Sequence, residues 1–208
     1  MMRRLSPELL DSLPATDPAV RWSRRDLLRV NRVMGNPAWF ARTLPAVMRP
    51  GESALEIGAG DGALARRLDA AGLDLAAAPT DWPEGRAWHR ADLRSFEGWA
   101  DYPVILGNLI LHHFDAEALL ALGAIFNRHA RVLLFSEPRR ARRFLALWAV
   151  AAPLGGANHV TRHDGRVSIE AGFAPGELPR LLGLAEDWQC VEQTNALGAL
   201  RLIATRRP

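Results

Sequence analysis

The period of the hydrophobic positions changes near residue 50. Before that point apolar residues recur at three- and four-residue spacing, which predicts helices over 7–13, 23–34 and 37–48. Ser23 is placed to cap the second helix, and Pro37 suits the first turn of the third. Gly35 and Pro50-Gly51 punctuate the segment. From residue 53 onward short apolar runs alternate with helical patterns. Strands are expected over 53–57, 73–78, 87–91, 102–106 and 131–135, and two closing strands over 188–193 and 199–205. Helices are expected over 63–71, over 116–128 with Asp115 as cap, over 140–151 and over 175–182, with a loop before the last.

Alternating strands and helices predict an α/β protein with a mainly parallel sheet covered by helices on both faces. The continuous apolar character of 131–135 fits a strand buried on both sides. Two adjacent closing strands imply an antiparallel strand at the C-terminal edge. The expected division is a helical N-terminal cap or lid over 1–50 and a sheet domain over 51–208, together one structural domain.

Composition narrows the partners. The chain has 208 residues, 49% hydrophobic and 24% charged, which fits one globular domain with a sizeable core. All 26 basic residues are arginine, yet the net charge is only +3, too small an excess to argue for nucleic acid. The single Cys190 excludes an internal disulfide and a CxxC metal pair, and its strand-like surroundings predict a buried, inert thiol. The start Met1-Met2-Arg3-Arg4 turns polar at once, and the longest apolar run, 144–154, falls short of the ~20 residues that span a bilayer. A cytoplasmic protein without stable membrane insertion is expected. Arg139, Arg140, Arg142 and Arg143 before that run are compatible with contact to a membrane or a lipophilic substrate, although a core helix flanked by surface charge is the favoured reading.

The stretch Glu56-Ile57-Gly58-Ala59-Gly60-Asp61-Gly62 carries the chemistry. A strand runs through alternate glycines directly into a helix. Such a loop allows backbone to approach a ligand, and the helix N-terminus presents unpaired N–H groups to it. Residues 58–63 also fit the dinucleotide pattern G-x-G-x-x-G/A. Glu56 speaks against a pyrophosphate, because a carboxylate two residues before the first glycine suits a cationic ammonium. The loop also follows a helical extension rather than opening the chain.

With these features the chain resembles the class I S-adenosylmethionine (SAM) dependent methyltransferases, small-molecule branch, from about residue 50 onward. Glu56 to Gly62 matches the family's first motif, Ala91-Asp92-Leu93 resembles the segment after the third strand, and 102–114, ending Leu111-His112-His113-Phe114, resembles the fourth strand and its exit. The resemblance implies a Rossmann-like fold and SAM as cofactor. It implies cofactor contacts from Glu56, Gly58, Ala59 and Gly60, adenine contacts from Asp92 and the Leu93 N–H, and Asn108 beside the sulfonium. The family's ribose-binding acid ends the second strand, and spacing brings it near Pro79, so Asp81 is the candidate. Arg32 or Asn36 of the N-terminal segment could reach the cofactor carboxylate.

The implied reaction is methylation of a hydroxyl, or less readily a carbon, of a small aromatic or lipophilic metabolite. Methyl transfer needs a base only if the acceptor must lose a proton. The candidates are His113 after the fourth strand and His163, with Asp164 beside it, in the expected loop. No metal site is expected, since no zinc spacing and no carboxylate pair is visible. Asn108 is followed by Leu109-Ile110 rather than by two prolines and an aromatic residue, which argues against a macromolecular acceptor. Two rivals remain: an NAD-dependent oxidoreductase and a non-catalytic partner protein with the SAM fold.

Overall fold

The computed structural model describes residues 1–14 and 16–207. Seven strands form one sheet: β1 (Ala54–Ile57), β2 (Ala71–Asp74), β3 (Trp88–Arg90), β4 (Val104–Asn108), β5 (Val132–Pro138), β6 (Trp188–Thr194) and β7 (Ala199–Arg206). Their order is β3-β2-β1-β4-β5-β7-β6. β1 to β5 are mutually parallel, and β7 runs antiparallel to both neighbours. The tight β6–β7 turn, in which Asn195 Oδ1 accepts from Leu197 and Ala199 N–H, forces that reversal. The antiparallel strand therefore lies one place in from the edge, with β6 outside it.

Helices α1 (Leu9–Ser12), α2 (Pro18–Val33) and α3 (Asn36–Val47) precede the sheet. The others are α4 (Ala63–Leu68), α5 (Ala116–His129), α6 (Arg142–Leu154), α7 (His159–Ala171) and α8 (Glu177–Leu181). Successive strand residues face opposite layers. Ala54, Val104, Leu106, Val132 and Leu134 pack on Trp39, Phe40 and Leu44 of α3 and on Leu64 and Ala65 of α4. Leu55, Ile57, Ile105, Leu133 and Phe135 pack on Leu119, Leu122 and Phe126 of α5. Both faces of the central strands are thus covered, which explains the unbroken apolar runs 104–106 and 132–135. Among the described residues no helix is long and apolar enough to cross a membrane.

Several boundaries differ from expectation. α2 starts at Pro18 because Asp17 accepts the Ala19 N–H at 2.7 Å; Ser23 is an interior residue bonded to Thr161. α4 stops after six residues, where Asp69 turns left-handed, so β2 begins at Ala71 and ends at Asp74 rather than near residue 78. The only polar residue of 71–78 is Asp74, and it is there that pairing with β1 and β3 stops. A helix, α7, replaces the loop expected after α6. Asn158 caps it by accepting the Thr161 N–H, but its inner face mixes Thr161 and Asp164 with Val160, Val167 and Ala171, which hides the apolar period. α6 is not a core helix, since only Phe144 and Ala152 are buried. Cys190 is exposed on the edge strand β6 rather than buried.

Candidate functional site

Because β1 to β4 are parallel, their carboxyl ends meet at one edge and bring the glycine loop, Asp74, Asp92 and Asn108 together. Gly58, Gly60 and Gly62 all have positive φ, between 57° and 68°. A Cβ at Gly58 would come within 2.6 Å of the Ile110 side chain, whereas one at Gly60 would meet nothing within 4 Å. Gly60 is therefore required by its φ and leaves open space for a ligand. Its N–H donates to Asp74 Oδ2 at 2.8 Å, while Asp74 Oδ1 accepts from Ala76 N–H at 2.9 Å. Ala59 is buried, and its N–H donates to the Leu73 carbonyl.

The acid at the end of the second strand is Asp74, not Asp81. Asp81 lies in the following loop, 72% exposed, paired with Arg66 at 2.8 Å. α4 ends at Leu68, so β2 and its terminal acid come earlier than the place near Pro79 that the family spacing implied. Asp92 follows β3 with its carboxylate gripped by Arg94, which holds its pKa down at about 2; Leu93 packs into the core. Glu56 is buried beneath the glycine loop. Its Oε2 has no partner, and desolvation pushes its pKa well above the usual range although the nearby Ala65 N–H favours the charged form. An unpartnered buried carboxyl calls for a donor or a cation.

The exit of β4 is tightly organised. Asn108 Oδ1 accepts from Asn36 Nδ2 at 3.2 Å, so Asn36, fully buried at the start of α3, reaches the site. Arg32 is exposed on α2 and does not line the neighbouring cavity. Leu109 has φ 58°, a strained value for a leucine, fixed by its N–H to the Ser136 carbonyl. Glu137, at the end of β5 and fully buried, then accepts the N–H groups of Ile110, Leu111 and His112 and also faces His112 Nδ1 at 2.8 Å. The other ring nitrogen of His112 lies 3.6 Å from Glu8 Oε1. Burial alone would lower the His112 pKa, but the two flanking carboxylates raise it to about 9. Glu8, His112 and His113 hold their donor atoms within 4.8 Å of one another, with His112 Nδ1 taken up by Glu137 and its Nε2 facing the Glu8 carboxylate.

Beside this exit opens a cavity of about 500 Å³ walled by α2, α6 and α7. Its lining is mainly apolar, including Val30, Met34, Leu109, Phe144 and Trp148. Its polar end holds Glu8 and His113, which also line a second cavity of about 350 Å³. Glu8 accepts from Ser168 Oγ, and this bond and His112 outweigh burial to lower its pKa. His113 has a lowered pKa from partial burial and the charge of His112. His163 contacts Asp164 at 3.0 Å as its sequence position implied, but it does not line the cavity, and Asp164 is occupied by the Leu9 and Leu10 N–H groups that start α1. Sequence reasoning missed Asp74, Glu8 and Glu137. Glu137 had a visible signal, an acid closing an apolar strand; Glu8 had none, since its neighbours come from over 100 residues away.

No family model matches the sequence, and no curated protein matches it significantly. Solved structures do match in fold. The plantazolicin methyltransferase BpumL in complex with SAH aligns over 93% of this chain and 92% of its own, at 13% identity and TM-score 0.71. The magnesium protoporphyrin IX methyltransferase ChlM from Synechocystis PCC 6803, with bound SAH, aligns over 96% and 91%, at 16% identity and TM-score 0.55. The methyltransferase domain of bacterial Hen1 aligns over 84% and 98%, at 12% identity and TM-score 0.55. The chain thus has the Rossmann-like fold of the class I SAM-dependent methyltransferases. Its reversed β7 departs from the strand order 3-2-1-4-5-6 of dinucleotide-binding folds, which weakens the oxidoreductase alternative.

Proposed function

We propose that this protein is a SAM-dependent methyltransferase acting on a hydroxyl group of a small aromatic or lipophilic molecule. The observation that carries the reading is the convergence of the glycine loop, Asp74 and Asp92 at one sheet edge, beside a mainly apolar cavity of about 500 Å³. The residues fit the cofactor. Glu56 offers an unpartnered carboxyl oxygen for the ammonium, Gly58 to Gly60 offer close backbone approach, and Asp74 replaces Asp81 as the acid for the ribose hydroxyls. Asp92 and the Leu93 N–H would face the adenine, and Asn108 with Asn36 the methionine end. When bound, SAM supplies a methyl group already activated on a sulfonium.

The chain's own work is then positioning and proton handling. Residues 1–50 serve as the cap of a SAM-binding domain over 51–208, with α2 walling the acceptor cavity. The strained Leu109 and the turn pinned by Glu137 fix the edge along which the acceptor meets the cofactor. Glu8, an ionised carboxylate at the polar end of the cavity, receives the acceptor's hydroxyl proton, with His113 next to it. The neighbouring methyltransferases named for plantazolicin and magnesium protoporphyrin IX fit an acceptor of some size.

The test is incubation with SAM and a panel of lipophilic phenols and alcohols, with matched amines, followed by mass spectrometry. The reading expects a one-methyl mass gain on at least one hydroxyl compound, lost in Glu8→Gln while SAH binding is retained. Methylation of amines alone would overturn the hydroxyl assignment.

A further inference from the structure

We propose that the rim of the large cavity is a docking surface for an anionic lipid bilayer. The apolar lining does not end at the mouth but runs out onto the surface. Leu27, Val33 and Leu147 line the cavity and are also 48%, 69% and 41% exposed. On α6, Arg143, Leu147, Val150 and Leu154 follow one another at spacings of four, three and four residues, which puts them on one face. Val150 is 61% and Leu154 84% exposed. On α2, Trp22, Arg29 and Val33 share a stripe in the same way, and Trp22 is half exposed with the Arg25 guanidinium over its ring.

The charge beside these apolar residues is one-sided. α2 carries exposed Arg21, Arg24, Arg25, Arg29 and Arg32 against a single acid, Asp26, which is buried and paired with Arg29. α6 carries Arg142 and Arg143 and no acid at all. The whole chain has a net charge of only +3, so positive charge is concentrated on α2 and α6, two of the three helices that wall the cavity. Exposed aliphatic and tryptophan side chains among arginines match the interface of an acidic bilayer, where apolar groups enter the headgroup region and guanidinium groups meet phosphate.

Other occupants fit less well. A second copy of the chain would press arginines against arginines. Nucleic acid would satisfy the arginines and leave Leu154, Val150 and Val33 in water. Docked on a bilayer, the cavity would open toward the membrane, and a lipophilic molecule could enter it without crossing water. Neither helix needs to insert fully for this.

Flotation with vesicles tests the proposal on the intact chain. The probes are phosphatidylcholine vesicles and vesicles of phosphatidylcholine and phosphatidylglycerol in equal parts, at low and high salt. The protein is expected to float with the mixed vesicles only, and less so at high salt. Arg142→Glu/Arg143→Glu should weaken binding about 25-fold, from about five-fold per arginine near an anionic surface. Val150→Asp/Leu154→Asp should abolish it, whereas Leu120→Asp, at an exposed leucine of α5 that does not line the cavity, should leave it unchanged. SAH binding and thermal melting of each variant report folding and the cofactor site separately, so this inference and the methyltransferase reading fail independently. Absence of binding to either vesicle, binding indifferent to both double substitutions, or a dimer dissociated by Val150→Asp/Leu154→Asp would overturn it.

Discussion

Asp74→Asn and Asp81→Ala separate the two acids that could hold the ribose of the cofactor. Asp74 ends β2, and its Oδ2 receives the Gly60 N–H at 2.8 Å, so it is fixed against the loop where backbone comes closest to a ligand. Asparagine keeps the size and one acceptor but loses the charge. A hydrogen bond to a charged group is worth about 1.5–3 kcal/mol, which converts to about 10- to 150-fold in affinity. Asp81 is 72% exposed and its one ion pair, to Arg66, lies on the surface. Exposed pairs contribute about 0–1 kcal/mol to stability and here touch no ligand. Calorimetric titration with SAH is therefore expected to show a loss of at least about tenfold for Asp74→Asn and no change for Asp81→Ala, with the melting temperatures of both near the parent. Weaker SAH binding in Asp81→Ala than in Asp74→Asn would refute the assignment and restore the acid that spacing alone favoured.

Three further outcomes follow from packing and charge. Glu137→Ala leaves the N–H groups of Ile110, Leu111 and His112 without their buried acceptor, and denaturant titration should show a loss of about 3–5 kcal/mol. His112 is raised from 6.5 to about 9 in the folded protein, so its contribution is complete below about pH 6.5 and is lost as pH rises through 9. Melting temperature should fall across that window, and His112→Gln should flatten the profile; an unchanged profile would show that the imidazolium is not held as described. Gly123→Ala replaces a helix glycine, normally a gain of about 1 kcal/mol, but its Cβ would lie 1.6 Å from the Leu182 carbonyl oxygen. Overpacking should make it destabilising by about 1–3 kcal/mol instead, again read by denaturant titration.

The parts of the fold that periodicity revealed were those with one dominant cause. Residues 104–106 of β4 and 132–135 of β5 are apolar on both faces, β1 runs straight into the glycine loop, and α5 has a clean cap at Asp115, so their types and approximate places could be read directly. α7 could not, because its buried face carries Thr161 and Asp164 and its Gly165 exists to admit Trp148, whose ring a Cβ would approach within 2.2 Å. Partners supplied by α1, α2 and α6 make that polar face burial-competent, and none of them is near in sequence. The glycine loop was legible because tight backbone geometry demands a specific residue type. Asp74 was obscured by one local event, the left-handed turn at Asp69 that ends α4 early. Glu8 and its contact with His112 depend on a long-range docking of the N-terminal segment, held by Arg3 on the Ala171, His112 and Phe114 carbonyls, for which no local pattern exists.

Gly60 isolates the ligand of the glycine loop. A Cβ there meets no protein atom within 4 Å, so Gly60→Ala adds strain of about 1–3 kcal/mol from its φ of 57° but no clash inside the protein. Calorimetric titration of the parent and of Gly60→Ala with SAM, SAH and NADH identifies that ligand. The parent is expected to bind SAM and SAH, the folded variant to bind both markedly more weakly, and neither to bind NADH. Binding of NADH without SAM or SAH would contradict the methyltransferase reading.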